Sequence, residues 1–125
     1  MDDKPQLNLF HETIEECSSD PLTGFFRTGC CDTGDQDLGN HTVCALMTED
    51  FLKFSISCGN DLSTPVPQYN FPGLKEGDRW CLCANRWLEA YEADSAPVII
   101  AKATNLKAQE IIPLEILKQF AIDIV

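Results

Sequence analysis

The apolar positions of this chain follow a helical period in three places. In the clearest of them the apolar residues recur at spacings of three and four, which predicts an amphipathic helix over residues 84–92. A second helix is predicted over residues 49–57, where Thr48 can accept a backbone N–H of the first turn. A third is predicted over residues 114–122, close to the carboxyl terminus.

Three shorter segments have the composition of strands. They are apolar or rich in β-branched residues, and they span residues 42–47, 79–83 and 98–102. Helices and strands therefore interleave at irregular spacings. We expect an α+β fold, a single compact domain with a mixed sheet of three or four short strands and about three helices.

The beginning of the chain differs from the rest. Residues 1–16 are mostly polar and acidic, which predicts a loosely ordered acidic arm. Residues 17–39 contain many glycine, Asp-Pro and Thr-Gly turn signals, which predict a long, turn-rich loop layer. The predicted organisation is thus an N-terminal arm over residues 1–16 and one cysteine-rich domain over residues 17–125.

The charge balance argues against some classes of binding partner. The 125 residues include 20 acidic and nine basic residues, for a net charge of −11, and the basic residues form no cluster. Nucleic-acid binding needs a basic surface that displaces counterions from phosphates, so we expect no nucleic-acid partner. No stretch approaches the roughly 18 apolar residues of a spanning helix, and no signal peptide is visible. We therefore expect no membrane partner and a cytoplasmic location.

Seven cysteines are many for a chain of this length. Thiols are kept reduced in the cytoplasm, so we do not expect these cysteines to form a disulfide framework. Three roles remain for them, which are packing in the core, binding of a metal ion, and redox or catalytic chemistry.

Five segments of the chain have a distinctive order and spacing. They are residues 29–31 (Gly-Cys-Cys), 41–45 (His-Thr-Val-Cys-Ala), 59–65 (Gly-Asn-Asp-Leu-Ser-Thr-Pro), 71–75 (Phe-Pro-Gly-Leu-Lys) and 77–84 (Gly-Asp-Arg-Trp-Cys-Leu-Cys-Ala), the last followed by Arg86-Trp87. Together they resemble a family of small, mostly bacterial proteins, domain of unknown function 2237, over residues 17–121. The resemblance implies no activity, because none is established for that family. Cys58 and Pro113 depart from the family pattern, in which we expect a basic residue and a capping serine.

The most suggestive local pattern is the predicted strand over residues 79–83. Alternate residues of a strand share one face, which would place Arg79, Cys81 and Cys83 together. A guanidinium beside two thiols favours thiolates, the form of cysteine that attacks electrophiles and binds metals. The alternative is that both cysteines only fill space in the core. A buried Arg79 would also need a carboxylate, such as Asp61 or Asp78.

Cysteines elsewhere could complete a site around this strand. We predict that Cys30 or Cys31 approaches from the loop layer and that Cys44 or His41 is a further contributor. The predicted ligand-binding residues are Cys30, Cys31, Asp61, Arg79, Cys81 and Cys83. The predicted ligands of a structural zinc ion are Cys30, His41, Cys44, Cys81 and Cys83. The chain has no Cys-x-x-Cys pair, from which most structural zinc sites are built.

A thiol-dependent enzyme is the alternative to a binding site. A cysteine nucleophile served by His41 would need a third group that orients the imidazole. The sequence offers four candidates and does not choose among them: Asp35, Asp37, Asn60 and Asp61. Three classes of function thus remain open. The protein is a small-ligand or metal-binding module with a thiol-rich site, a thiol-dependent enzyme, or a structural or protein-interaction module whose cysteines pack the core. The sequence identifies neither a small molecule nor a protein partner.

Overall fold

A computed structural model describes residues 6–124 of the chain. Strands and α-helices follow one another in the order β1 (His41–Leu46), α1 (Glu49–Ser57), β2 (Arg79–Cys83), α2 (Ala84–Glu92) and α3 (Leu114–Phe120). Short 3-10 turns cover Pro67–Tyr69, Ala101–Ala103 and Leu106–Glu110. The fold is α+β, as the two periods of the sequence predict.

The sheet is smaller than expected. Within residues 6–124 it contains two antiparallel strands, β1 and β2, in which Cys44 lies opposite Cys81. The prediction of a mixed sheet of three or four strands is therefore wrong.

The predicted strand over residues 98–102 forms only isolated bridges. Ile99 makes one bridge to β1 and another to the segment after α3. The extended backbone does not continue, because the chain enters a 3-10 turn at Ala101, whose N–H donates to the Asp123 carboxylate at 2.7 Å. A contact from the far end of the chain thus ends the strand.

The three helix predictions are confirmed. α1 and α2 have the predicted bounds, and Thr48 caps α1 by accepting the Phe51 N–H at 3.1 Å. α3 ends earlier than expected, at Phe120, since Ala121 takes an extended conformation (φ −79°, ψ 127°) where it pairs with Ile99. None of the helices among the described residues is long and apolar enough to cross a membrane.

Two buried clusters lie on opposite faces of the sheet. The larger cluster is apolar and includes Trp80 of β2 and Trp87 of α2. The smaller cluster includes Cys44 and Cys81 together with cysteines of the loop layer. The division follows from strand geometry, because successive side chains point to opposite faces. Trp87 is fully buried and donates its indole N–H to the Pro97 carbonyl at 3.0 Å, which anchors α2.

The predicted arm over residues 1–16 is described from its sixth residue. There Leu9 packs into the larger cluster, and the Asn8 side-chain amide donates to the Lys102 carbonyl at 3.1 Å. Residues 1–5 lie outside the described part of the chain, so the division into an arm and a domain stays a prediction.

Candidate active site

Four of the seven cysteines form disulfide bonds. Cys17 is bonded to Cys44 and Cys31 to Cys81, with Cα–Cα distances of 5.7 and 5.2 Å. The expectation that the cysteines do not pair is therefore wrong. It rested on the redox state of a compartment, which does not say which cysteines the fold brings together. The remaining three are half-buried free thiols: Cys30, Cys58 and Cys83.

The structure divides the predicted zinc ligands between separate places. Cys44 and Cys81 lie in the smaller buried cluster, each in a disulfide. His41 and Cys83 line a cleft on the opposite face. Cys30 belongs to neither place. These five side chains therefore do not surround one point.

Cys81 and Cys83 do not share a face, contrary to the prediction from strand alternation. Cys83 lines the cleft beside Leu82, whereas Cys81 is buried in the cysteine cluster. The reason is that Cys83 ends β2, where its backbone (φ −58°, ψ 127°) turns the chain into α2. The pairing is also irregular at this end of the sheet, because β1 has an extra residue, Thr42.

The cleft has a volume of about 180 Å³ and lies where β2 passes into α2. Its lining combines apolar and polar side chains: His41, Asn60, Leu62, Trp80, Leu82, Cys83 and Arg86. His41 is the cross-strand partner of Cys83. The pairing register shifts next to this pair, and both side chains line the cleft. The imidazole and the thiol therefore face the same cleft.

A buried carboxylate orients the imidazole of His41. Nδ1 of His41 lies 2.6 Å from Oδ1 of Asp37, and the other carboxylate oxygen accepts the His41 backbone N–H at 2.8 Å and the Thr33 hydroxyl at 2.9 Å. The side chain of Asp37 is fully buried, whereas that of His41 is 38% exposed. Because Asp37 occupies Nδ1, Nε2 is the ring nitrogen left for contacts in the cleft.

The pKa of Asp37 lies below its ordinary range. Burial by itself would raise this pKa, but the hydrogen bonds from the His41 ring, the His41 N–H and the Thr33 hydroxyl together outweigh burial. The carboxylate is therefore ionised at neutral pH. It favours the tautomer of His41 with the proton on Nδ1, which leaves Nε2 as a hydrogen-bond acceptor.

Gly39 lies beside both the thiol and the imidazole. Its carbonyl accepts a hydrogen bond from the Cys83 thiol at 2.7 Å. A Cβ at this position would lie 2.7 Å from Cε1 and 3.4 Å from Nε2 of His41. Phe25 stacks on the imidazole, with ring centroids 6.0 Å apart. The absence of a side chain at Gly39 thus allows the ring to lie against the loop that contacts the sulfur.

The amino-terminal end of α2 meets the same cleft. Cys83 is the residue before its first turn, and the Ala84 N–H donates to the Asn40 carbonyl at 2.9 Å. The N–H groups of Asn85 and Arg86 also belong to the first turn, where a helix offers no acceptor. Free N–H groups and the helix dipole together stabilise negative charge at this end.

Asp61 and Arg79, two of the predicted ligand-binding residues, lie on the surface and do not line the cleft. Asp61 accepts the Thr64 hydroxyl at 2.6 Å, which lowers the pKa of its carboxyl. Asp78 pairs with Lys75 at 3.3 Å. In the described part of the chain Arg79 therefore forms no ion pair with either aspartate.

Cys30 and its neighbour Cys31 lie in different environments. Cys31 is fully buried in its disulfide, whereas Cys30 is a half-buried free thiol. Burial, and then the negative charges of Asp32 and Glu16, raise the pKa of the Cys30 thiol. Cys30 is therefore protonated at neutral pH, which makes it a poor nucleophile.

Sequence reasoning identifies only part of this site. It names Asp37 as one of four candidate partners for His41, and it does not anticipate Gly39, Arg86 or the pairing of Cys17. The turn directly before β1 could have singled out Asp37. Such a turn brings the residue four positions before His41 back to His41, the first residue of the strand.

The model of one protein family matches most of the chain. The family is described as uncharacterized proteins conserved in bacteria, domain of unknown function 2237, and the match spans residues 7–121. This range includes every residue that lines the cleft and all four disulfide-bonded cysteines. None of the curated proteins compared matches the chain. The chain therefore belongs to this bacterial family of unknown function.

Proposed function

We propose that this protein is a thiol-dependent enzyme that transfers or hydrolyses a small acyl group, with Cys83 as the nucleophile. The observation that carries the proposal is the buried Asp37 carboxylate bonded to His41, whose cross-strand partner is the free thiol of Cys83. A thiol, a base and a group that orients the base are the three parts of nucleophilic catalysis by cysteine.

The role of each group follows from its position. The Cys83 thiol turns from the Gly39 carbonyl and gives its proton to Nε2 of His41, while the Asp37 carboxylate stabilises the imidazolium through Nδ1. The thiolate attacks the carbonyl carbon of the substrate, a C–S bond forms, and the carbonyl oxygen becomes an oxyanion. The imidazolium then protonates the leaving alcohol or amine as its bond to carbon breaks. Water, deprotonated by the neutral imidazole, finally releases the acid from the thioester.

The first turn of α2 supplies donors for the oxyanion. The N–H groups of Asn85 and Arg86 have no acceptor within the helix, and the turn begins directly after Cys83. Donors of this kind lower the barrier because they are aligned before negative charge develops on the oxygen, and each is typically worth about 10²–10³ in rate.

The lining of the cleft supports a small substrate with a carboxylate. Arg86 is the cationic side chain of the lining, and its pair with Glu89 at 3.3 Å is partly exposed, so a substrate carboxylate can replace it. Asn60 adds an amide, and Leu62 and Trp80 form an apolar wall. A volume of about 180 Å³ suits a small molecule better than a polymer segment.

The other two classes account for fewer of these contacts. A module that only binds a small ligand would use the same cleft but would not need the bond between Asp37 and His41. A module whose cysteines only pack the core explains the disulfide-bonded residues and leaves Cys83 without a role. The cytoplasmic location and the absence of a nucleic-acid partner stay predictions, the second supported by the net charge of −11.

Acylation of Cys83 by a small activated ester tests the proposal. The reagent is the 4-nitrophenyl monoester of a short dicarboxylic acid, compared with the neutral 4-nitrophenyl acetate. We expect a burst of nitrophenolate, an acyl adduct on Cys83 in mass spectra, and a preference for the charged ester that Arg86→Gln abolishes. His41→Gln removes the base and should slow acylation by about 10²–10⁴-fold.

Cys58→Ser is the matched control, because it removes a half-buried free thiol that does not line the cleft. This variant should keep the full burst. An adduct that forms on Cys30 or Cys58 as fast as on Cys83 would contradict the proposal. Acylation of His41→Gln at the rate of the unmodified protein would contradict it as well.

A further inference from the structure

A second group of sulfur atoms lies on the other face of the sheet. The sulfurs of Cys17, Cys31 and Cys81 all lie within 4.8 Å of one another, and Cys44 is bonded to Cys17. All four residues are at most 4% exposed. Four sulfurs therefore occupy one buried cluster, and the chemistry proposed for the cleft uses none of them.

The four sulfurs reach the cluster from separate parts of the backbone. Cys44 and Cys81 lie opposite each other in β1 and β2. Cys17 and Cys31 lie in the loop layer that precedes β1. Neighbouring residues have side chains that diverge, whereas cysteines on separate segments can all point to a common centre. Two of the four cysteines therefore lie on the sheet and two on the loops that cover it.

The two strand cysteines are held in place independently of the disulfides. The Cys81 N–H donates to the Thr23 hydroxyl at 2.8 Å, and the Cys44 N–H donates to the Thr104 hydroxyl at 3.1 Å. Both threonines are fully buried. Because the sheet and these hydrogen bonds fix the backbone, Cys44 and Cys81 stay opposite each other in the two strands when the disulfides are reduced.

We propose that the reduced cluster is a four-cysteine site for one Zn²⁺ ion, and that the two disulfides are the oxidised, metal-free state of the same sulfurs. Zinc–sulfur bonds of about 2.3 Å in a tetrahedron place neighbouring sulfurs about 3.8 Å apart. Three of these sulfurs already lie within 4.8 Å of one another. A set of four thiolates also selects a soft, tetrahedral ion over Mg²⁺ or Ca²⁺.

The two states are related by a balanced reaction. Two dithiol molecules give four electrons and four protons to the two disulfides, and each dithiol is oxidised to a disulfide. The four thiols that result lose four protons when Zn²⁺ binds and forms the tetrathiolate. A reducing compartment such as the predicted cytoplasm therefore favours the zinc state.

The site differs from the zinc ligands that the sequence predicts. It keeps Cys44 and Cys81, replaces Cys30 by its neighbour Cys31, uses Cys17 in place of the His41 imidazole, and leaves out Cys83. The change follows from position, because the buried cluster and the cleft lie on opposite faces of the sheet. A variant at His41 consequently separates the two zinc sites experimentally.

Zinc-dependent protection of the thiols tests the inference. The full chain is reduced without metal by a trialkylphosphine, which becomes the phosphine oxide with oxygen from water. It is then mixed with one equivalent of Zn²⁺ and alkylated under native conditions, and the labelled cysteines are mapped by mass spectrometry. We expect one bound Zn²⁺ per chain in native mass spectra and loss of alkylation at the four cluster cysteines alone. The other three thiols should react as they do without metal.

Variants sharpen this result. Cys81→Ala should lose the zinc ion, whereas Cys58→Ser and His41→Gln should bind it as the unmodified chain does. If Cys81→Ala fails to fold, the protection map of the unmodified chain decides by itself. The inference would be overturned if the reduced chain binds no Zn²⁺. It would also be overturned if zinc protects Cys30 or Cys83 in place of the cluster, or if His41→Gln loses the zinc ion.

Discussion

Substitution of Gly39 by alanine perturbs the candidate active site without replacing any of its reacting groups. The Cβ of an alanine would lie 2.7 Å from Cε1 of His41, and ordinary contacts begin near 3.4 Å. The imidazole must therefore move by roughly 0.7 Å. Its hydrogen bond to Asp37 is 2.6 Å long, and a shift of this size along the bond would stretch it beyond the usual limit of about 3.2 Å.

The expected loss can be estimated from that hydrogen bond. Bonds to a charged group contribute about 1.5–3 kcal/mol, and each 1.4 kcal/mol corresponds to a factor of ten in rate. Gly39→Ala should therefore lower the rate of Cys83 acylation by about 10- to 100-fold. The assay is the pre-steady-state burst of nitrophenolate from the charged ester.

Gly34→Ala is the matched control for this substitution. Neither glycine has a backbone angle that restricts it to glycine, and a Cβ at position 34 would meet only the tip of Phe26 at 3.8 Å. The control should keep the full rate. A Gly39→Ala protein that acylates as fast as Gly34→Ala would refute the claim that the position of His41 determines the reactivity of Cys83.

Three further predictions concern stability and thiol chemistry. Because the pKa of Asp37 is lower in the folded than in the unfolded chain, its contribution to stability is complete above about pH 3.9 and is lost as the pH falls through the folded value. Urea unfolding should therefore show a smaller loss of stability on acidification in Asp37→Asn, and an equal loss would contradict this. Trp87→Phe removes a buried indole donor and should lower the free energy of unfolding by about 1–3 kcal/mol, whereas no loss in urea unfolding would contradict the anchoring role. Asp32→Asn removes one of the charges that raise the pKa of Cys30, so Cys30 should be alkylated faster at mildly alkaline pH, and an unchanged rate would argue against this charge effect.

Local patterns predict the helices well because each helix here is specified by its own residues. The bounds of α2 follow from the spacing of its apolar face, and α1 begins where Thr48 can cap it. The segment at Ile99 has the composition of a strand but does not become one, because Asp123 binds the backbone two residues later and turns the chain. Asp123 and Ala101 are 22 residues apart in the sequence, whereas the spacing of apolar residues reflects only the local structure of a segment.

The candidate site was predictable in its residue types more than in its geometry. The sequence points to His41, Cys83 and a nearby carboxylate, but strand alternation assigns Cys83 to the wrong face, since β2 ends at Cys83 and the backbone turns there into α2. The pairing of Cys17 with Cys44 depends on how the loop layer folds over the sheet. Register shifts and loop placement are tertiary properties, so a single sequence gives little indication of them.

The relative alkylation rates of Cys83 and Cys58 within one molecule show whether His41 activates the Cys83 thiol. Both are half-buried free thiols, but of the two only Cys83 lines the cleft with His41. Limited treatment with iodoacetamide at neutral pH, followed by mass spectrometry of the peptides, gives both rates from the same sample. We expect Cys83 to react first and its lead over Cys58 to disappear in His41→Gln. Equal labelling of the two thiols in the unmodified protein, or a lead that persists in the variant, would contradict it.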